Sequence, residues 1–443
     1  LKAARARGEL TAEMDERFAW RVVLARDRTV NAFALPGGYF GVHLGLIGLV
    51  ATRDELASVL AHELTHVTQR HISRSITQQG RQTPVMIAAM ILGVVAARNN
   101  PDAVNAVITG SQAVAIQGQL NFSRDMEREA DRIGLGLMQP AGFAPQGFIG
   151  MFEKLQQSAR LSDSGNFPYL RSHPMTTERM GDMQQRLLIQ QHAAKYSPQI
   201  EPSLQHAMMA ARARVLVEPG VDVLRQWAAE PQAVSFATFS KSRQVASLYA
   251  AILANIKLRD FARANEQKNR LKMAVAGDLI ASNVIQIIAI EMHLAMGDIA
   301  TASTLAAELA AKKTLSRAEL FALAQVQIAN QQAPAAAQKL QTWVATKPTD
   351  APAWQLLAKA YGVANQPLRA IRADAEAQVA LLDYTAALDR FKAAQEWVRA
   401  NSSTGASTQA SRDFMEESII DVRTRQVLEL LRQQIKDDKE AAK

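Results

Sequence analysis

The sequence contains no cysteine among its 443 residues. This absence excludes thiol catalysis, disulfide bonds and cysteine-based metal sites, so any bound metal must be held by histidine and carboxylate side chains. Aromatic residues are also scarce, at 6% of the chain. The lysines and arginines give a formal net charge of +8, but they are dispersed and form no basic stripe with interleaved aromatic residues. Nucleic-acid binding is therefore not expected.

Strongly apolar runs are also scarce in the sequence. The one strongly apolar run, residues 85–97, is shorter than the roughly 20 residues that a membrane span needs. A buried helix is one interpretation of this run. The other is a lid or a peripheral membrane contact formed by residues 84–98. If the protein is exported, we expect its signal upstream of Leu1.

The two halves of the sequence follow different patterns. The first half has three segments of β-rich composition, at 20–24, 30–35 and 39–44. They predict a small sheet, which either packs against the next helix or holds an extended substrate at its edge. Later in the chain the strand signals vanish and helical spacing dominates. We predict an α+β protein: a mainly helical domain with a small β-sheet at 1–195, followed by an all-α domain at 203–443.

The helical half contains weak repeats. The tetratricopeptide pattern, with its period of roughly 34 residues, matches Trp354, Leu357, Ala358, Tyr361 and Ala370. One period earlier, a second match consists of Leu320, Leu323, Ala324 and Ala336. Further matches are irregular, and a plain helical bundle is the alternative. Stacked repeats form a concave surface that binds peptides or proteins, so this domain is predicted to bind a substrate or a partner.

The most informative motif is His62-Glu63-Leu64-Thr65-His66, which lies in an apolar helical pattern. Residues four apart on a helix share a face, so both imidazoles can point at one metal ion. Glu63 lies about 100° around the helix from His62. From there it can take the proton from a water that attacks a polarised peptide carbonyl. The motif therefore indicates a zinc peptidase, although it also occurs by chance in ordinary helices.

A second helical segment supplies a third metal donor. Glu127 and Asp131 are four residues apart and share one helix face. One carboxylate can bind zinc while the other accepts a hydrogen bond from the far nitrogen of a ligating histidine; we expect Glu127 to be the ligand. Glu129 lies on the opposite face and is expected to be a solvated charge. His71, nine positions and about half a turn from His62, is not expected to be a ligand.

Together these motifs resemble the HtpX-like family of zinc metallopeptidases. HELTH followed by FSRDMEREAD is typical of that family, as is Asn-Ala-Phe-Ala-Leu-Pro-Gly-Gly at residues 31–38. The resemblance is strong over residues 20–180. Thereafter it is architectural, because it rests on the tetratricopeptide pattern in the second half of the chain.

The resemblance implies a role for each residue of the site. The ligands of one Zn²⁺ ion would be His62, His66 and Glu127. Glu63 would be the general base. In such proteases the residue that matches His173 either stabilises the developing oxyanion or occupies the metal as a fourth ligand. Arg179 would position His173 or the oxyanion, or it would form a plain salt bridge.

The resemblance also implies a biological setting. It points to a bacterial periplasmic endopeptidase, peripherally associated with the outer membrane, that degrades misfolded or stalled outer-membrane proteins and assists their assembly. The barrel-assembly machinery of the outer membrane would be the partner of the repeat domain. The main alternative is a latent protease that acts mostly as a tetratricopeptide chaperone or adaptor. A cytoplasmic or mitochondrial membrane protease would need spanning helices upstream of Leu1.

Overall fold

The chain folds into two compact units, Leu1–Gly277 and Asp278–Lys443. The computed structural model describes residues 1–35, 37–75, 77, 123–161, 167–193, 203–217, 220–401 and 407–441. The prediction of an α+β, mainly helical protein with a small sheet is confirmed. The apolar run 85–97 lies outside the described residues. The domain bounds 1–195 and 203–443 stay predictions.

In its described residues, the first unit consists of helices and one small three-stranded sheet. Its strands are β1 (Arg21–Ala25), β2 (Ala32–Leu35) and β3 (Tyr39–His43). Its helices are α1 (Lys2–Ala6), α2 (Ala12–Arg17), α3 (Leu44–Leu49), α4 (Arg53–Thr68), α5 (71–75), α6 (123–138), α7 (Gln146–Leu161), α8 (Pro168–Ser172), α9 (Thr177–Ala193), α10 (Leu204–Leu216), α11 (Val221–Ala229), α12 (Lys241–Lys257) and α13 (Phe261–Ala274). The strand order is β1-β3-β2, with β1 parallel and β2 antiparallel to β3. β2 is therefore an edge strand of this sheet.

Helix α4, which carries the HELTH motif, is the central helix of the first unit. Its N-terminus is capped by Thr52, whose hydroxyl accepts a 3.1 Å hydrogen bond from the backbone N–H of Glu55. Three of its apolar side chains, Val59, Ala61 and Val67, pack into three different core clusters. Because α4 is surrounded by core, the position and rotation of the motif are fixed by packing on several sides.

A close approach between α4 and α7 fixes their spacing. At Gly147, near the start of α7, an added Cβ would lie 2.2 Å from the backbone oxygen of Asp54. The hydroxyl of Ser58, on α4, also lies 3.3 Å from the carbonyl oxygen of Gly147. A side chain at this position would therefore push α7 away from the helix that carries the site.

We expect Gly147→Ala to destabilise the first unit by about 1–3 kcal/mol, the usual cost of overpacking a tight contact. Gly181→Ala is the matched control, because Gly181 lies in α9 with nothing within 4 Å of an added Cβ. Alanine there should be neutral or stabilise by about 0.5–1 kcal/mol. Urea unfolding of both variants measures the difference; equal midpoints would show that α7 moves without cost.

The second unit consists of helices alone in the part of the chain that the structure describes. They are α14 (Leu279–Met296), α15 (Ile299–Ala310), α16 (Arg317–Ala329), α17 (Ala333–Thr346), α18 (Ala351–Val363), α19 (Pro367–Ala380), α20 (Tyr384–Asn401) and α21 (Ser407–Ala441). The pairs α16–α17 and α18–α19 begin 34 residues apart. One core cluster joins both predicted repeats, with Leu320 and Ala336 from the first and Leu357 and Tyr361 from the second. This packing agrees with the tetratricopeptide interpretation, which stays a prediction.

One described helix, α14, has the length and apolar composition of a membrane span. Buried core helices meet the same criterion, and Ile288, Ile290 and Met292 of α14 are buried in the second unit. The composition of α14 alone therefore does not indicate insertion into a membrane.

Candidate metal centre

Two imidazoles of α4 face the same point. His62 is buried and His66 nearly so, and their Nε2 atoms lie 3.0 Å apart. The four-residue spacing on a regular helix produces this arrangement. Helix α6 approaches α4 closely at Gly134, where an added Cβ would lie 3.2 Å from the backbone nitrogen of His62. The missing side chain lets the carboxylates of α6 come near both rings.

Glu127 and His173 complete a group of four donors. Glu127 of α6 places Oε2 3.3 Å from the Nε2 of His62 and Oε1 3.3 Å from the Nε2 of His66. His173 follows α8 and places its Nδ1 3.2 Å from the Nε2 of His62 and 3.0 Å from the Oε1 of Glu127. Pro174 accounts for the end of α8, because the residue before a proline is disfavoured in the α conformation.

The donor set fits a tetrahedral metal ion. Bonds of about 2.0–2.1 Å to nitrogen or oxygen require donor atoms about 3.3 Å apart around zinc. The separations among His62, His66 and Glu127 run from 3.0 to 3.3 Å, and one donor atom from each of the four residues lies within 4.8 Å of the others. Imidazole and carboxylate are also donors that zinc prefers. These four residues can hold one metal ion.

The charges in the group favour a cation. Burial opposes a proton on His62, but the carboxylates of Glu127 and Asp131 outweigh burial and raise the pKa of His62 to about 10. Burial lowers the pKa of His66 to about 3. Burial alone would raise the pKa of Glu127, yet the neighbouring His62 and His173 keep it well below its usual range. The donors thus attract one positive charge, and a divalent cation competes with the proton for that place.

Glu63 lies beside the donors without belonging to them. Its carboxylate is buried, and its Oε1 has no hydrogen-bond partner in the described part of the chain. The Nε2 of His173 is 3.4 Å from that oxygen. Burial raises the pKa of Glu63, and a hydrogen bond from the backbone N–H of Ala34 in β2 opposes the shift. The group is thus a carboxylate of increased basicity that faces the metal site.

Asp131 and Arg179 form a buried ion pair behind His62. Asp131 Oδ1 lies 3.0 Å from the Nδ1 of His62, close enough for charge attraction although the two atoms are not aligned as a hydrogen bond. Arg179 donates to both oxygens of Asp131, at 2.6 and 2.8 Å, and to the carbonyl oxygen of Pro174 at 2.8 Å. Its Nη1 is 3.0 Å from Glu127. The guanidinium therefore links α6 to the residue that follows His173.

The expectation that Glu129 is a solvated charge is wrong. Glu129 Oε2 lies 3.1 Å from the Nε2 of His71 and accepts a 2.7 Å hydrogen bond from Arg74. The Nδ1 of His71 is in turn 2.9 Å from the Nδ1 of His66. His71 is outside the donor group, as predicted, but it contacts a donor. The geometric reason for setting it aside fails because α4 ends at Thr68.

The turn after α4 explains this position. Gln69 caps the helix, and Arg70 adopts a left-handed conformation with φ of 54°. The chain therefore leaves the helical course before His71, and counting positions on a continuous helix misplaces its side chain. Gln69 and Arg70 are followed by further polar residues, so the sequence carries no strong signal for this turn.

Tyr169 is a further residue near the site that sequence reasoning missed. Its buried ring lies against that of His173, with centroids 4.6 Å apart and planes inclined by 31°. Its backbone N–H donates a 3.3 Å hydrogen bond to the carbonyl of Val30. Burial raises the pKa of Tyr169 well above its ordinary value, so the phenol stays neutral. Nothing in the sequence around Tyr169 distinguishes it from a core residue.

A buried HExxH helix that meets a carboxylate donor from a second helix is the arrangement typical of a metallopeptidase site. Residues 6–187 match the family model of Peptidase family M48, so this part of the chain is similar to the peptidase domains of that family. M48 metallopeptidases are zinc-dependent. The predicted resemblance to zinc metallopeptidases is therefore confirmed for this region.

Named relatives agree with the family. The chain is 37% identical over 163 residues to the beta-barrel assembly-enhancing protease of Escherichia coli. The aligned residues cover 37% of this chain and 33% of that protein. A Vibrio cholerae protein provisionally given the same name is 36% identical over 245 residues, 54% of this chain and 48% of the relative. The mitochondrial metalloendopeptidase OMA1 of Saccharomyces cerevisiae is 32% identical over 174 residues, 37% and 46% of the two chains. The matched part thus spans half or less of each relative.

Proposed function

We propose that the protein is a zinc-dependent endopeptidase. The observation that carries this proposal is the buried carboxylate of Glu63 beside four metal donors. The proposed ligands are His62, His66, Glu127 and His173. When bound, zinc polarises the scissile carbonyl and stabilises the charge that develops on its oxygen. Glu63, with its raised pKa, takes a proton from the attacking water and returns it to the leaving amine.

An extended polypeptide is the proposed substrate conformation. β2 is an edge strand, and its residue Ala34 contacts Glu63 through a backbone hydrogen bond. A substrate strand that adds to β2 would therefore lie next to the general base. The half-exposed side chains of Phe33 and Leu35 on the same strand can contact apolar substrate residues.

Cleavage of casein tests the proposal directly. We expect the full chain to degrade casein, to lose that activity with a chelator, and to recover it when zinc is restored. Zinc content measured on the same samples should follow activity, at one ion per chain. Unchanged activity after complete removal of the metal would contradict a metallopeptidase.

His173 is proposed to be a resting fourth ligand rather than an oxyanion donor. Its Nδ1 lies within 3.2 Å of donor atoms of both His62 and Glu127, where a metal ligand would be. A fourth protein ligand occupies the coordination position that catalytic zinc sites leave open. This observation favours a latent protease, in which the helical unit acts as a chaperone or adaptor until His173 leaves the site.

We therefore expect His173→Ala to raise casein cleavage roughly tenfold, as for a site whose open form is about 10% populated. The double variant Glu63→Gln/His173→Ala should be inactive, which controls for a contaminating protease. An oxyanion donor would behave in the opposite way, with a loss of roughly 10²- to 10³-fold in turnover. Initial rates at saturating casein distinguish the two results.

The proposed setting is protein quality control at the bacterial outer membrane. The name that the Escherichia coli relative carries supports this setting, since it describes a protease that enhances assembly of β-barrels. We propose unfolded or misfolded outer-membrane proteins as substrates and a periplasmic location, with peripheral association with the outer membrane. Residues 1–195 would form the peptidase domain, and the helices of 203–443 would recruit substrate or the barrel-assembly machinery as a tetratricopeptide domain.

A purified β-barrel outer-membrane protein tests the substrate proposal. We expect cleavage of the urea-unfolded form soon after dilution and no cleavage of the same protein folded in detergent. If an unrelated unfolded protein is cleaved at the same rate as the unfolded outer-membrane protein, the protein is a general endopeptidase and the proposed preference for outer-membrane proteins is wrong.

A further inference from the structure

Two series of polar contacts support the two histidines of α4. In the first series, His62 contacts Asp131, and Asp131 contacts Arg179. In the second series, His66 lies 2.9 Å from His71, and His71 lies 3.1 Å from Glu129. Glu129 in turn lies 2.7 Å from Arg74. Both series of contacts include a carboxylate of α6 and end at an arginine. The second, which we call the His66 relay (His66, His71, Glu129), has an imidazole ring where the first has a carboxylate.

The contacts of the His66 relay select one arrangement of protons. An ionised carboxylate accepts hydrogen bonds only, so Glu129 requires a proton on the Nε2 of His71. In a neutral His71 the Nδ1 is then an acceptor, and the 2.9 Å contact requires a proton on the Nδ1 of His66. The Nε2 of His66, which faces His62 and Glu127, is left with a free lone pair. That is the form of imidazole that binds a metal.

Burial makes this selection strong. His71 is 2% exposed, so water cannot replace Glu129 or His66 as its partner. The rings of His66 and His71 meet edge to face, with centroids 4.8 Å apart and planes at 82°. Rotation of His66 away from the donors would leave a buried nitrogen of His71 without a hydrogen-bond partner, which is unfavourable.

We propose that His71 and Glu129 are positioning residues for the metal site: they fix the tautomer and the orientation of His66, and Arg74 holds the Glu129 carboxylate in place. This inference rests on the proposed metal site. It assigns no ligand role to His71 and no contact with substrate to either residue. Both act through His66 alone.

Zinc affinity of the full chain, measured by competition with a chromophoric chelator, tests the relay. We expect His71→Leu and Glu129→Ala each to weaken zinc binding roughly 10- to 100-fold. Because the two residues act as a unit, the double variant should bind about as weakly as the weaker single variant. Glu129→Gln, which keeps an acceptor for His71, should recover most of the affinity. Asp125→Asn is the matched control, an exposed carboxylate of α6 whose partner in the described part of the chain is Arg128.

The outcomes separate the relay from the metal site. If the wild-type chain does not bind zinc, the proposed function falls and the relay with it. If the wild type binds zinc and the folded variants bind it within about twofold as tightly, or if the two losses add, the relay alone is overturned. Should His71→Leu fail to fold, the comparison of Glu129→Ala with Glu129→Gln decides, since Glu129 is partly exposed. The absorption spectrum of bound Co²⁺ gives a second readout, because a turned His66 changes the ligand field.

Discussion

Glu63→Gln should lower the rate of casein cleavage by about 10²- to 10⁴-fold, the usual contribution of general acid–base catalysis. Glutamine has nearly the same shape as glutamate, but its amide cannot take a proton from water. Zinc affinity should stay within about twofold of wild type, because Glu63 is outside the group of four donors. Turnover number and zinc content are measured on the same preparation.

The control for this variant is Glu153→Gln, a change of the same kind at an exposed position of α7. It should leave turnover unchanged. Turnover of Glu63→Gln within tenfold of the wild type would assign proton transfer to another group. A loss of zinc together with activity would mean that Glu63 supports the metal rather than the reaction.

Arg179→Ala should destabilise the first unit by about 3–5 kcal/mol, the typical cost of removing one partner from a buried ion pair. The variant leaves the carboxylates of Asp131 and Glu127 buried without the guanidinium that now lies 2.6–3.0 Å from them. Urea unfolding in the presence of a chelator measures the loss. With zinc present the loss should be smaller, because the ion supplies positive charge to the same carboxylates.

Arg186→Ala is the matched control on the same helix, α9. Its partner Asp182 is at a similar distance of 2.7 Å, but both side chains are about 40% exposed. An exposed pair of this kind contributes about 0–1 kcal/mol. If both variants unfold at the same urea concentration, the Arg179 pair does not stabilise the fold, and its role lies in orienting Asp131 behind His62.

Local helix geometry explains why the central residues of the site can be predicted from the sequence. The pairs His62–His66 and Glu127–Asp131 each lie four residues apart on one helix, and a four-residue spacing places side chains on one face whatever the rest of the fold does. The three strands were also predictable, because their segments are short, β-rich and separated by turn residues.

What the sequence could not supply depends on contacts between distant elements. His173 was singled out through family resemblance, because one histidine before a proline says nothing about the 111 positions that separate it from His62. Extension of α4 beyond its real end misplaces His71, and the left-handed Arg70 that redirects the chain has no strong sequence signal. Glu129 was then misjudged because its partner had been misplaced.

Helix α6 contributes both a metal donor and the supports of the two histidines of α4. Three alternate acidic residues of one helix, Glu127, Glu129 and Asp131, meet three different groups: the donor cluster, His71 and His62. A helix moves as a rigid rod, so sliding or turning α6 along α4 would remove a ligand and the supports of both histidines in one motion. A molecule that displaces α6 by one turn would therefore act as an inhibitor without touching the metal.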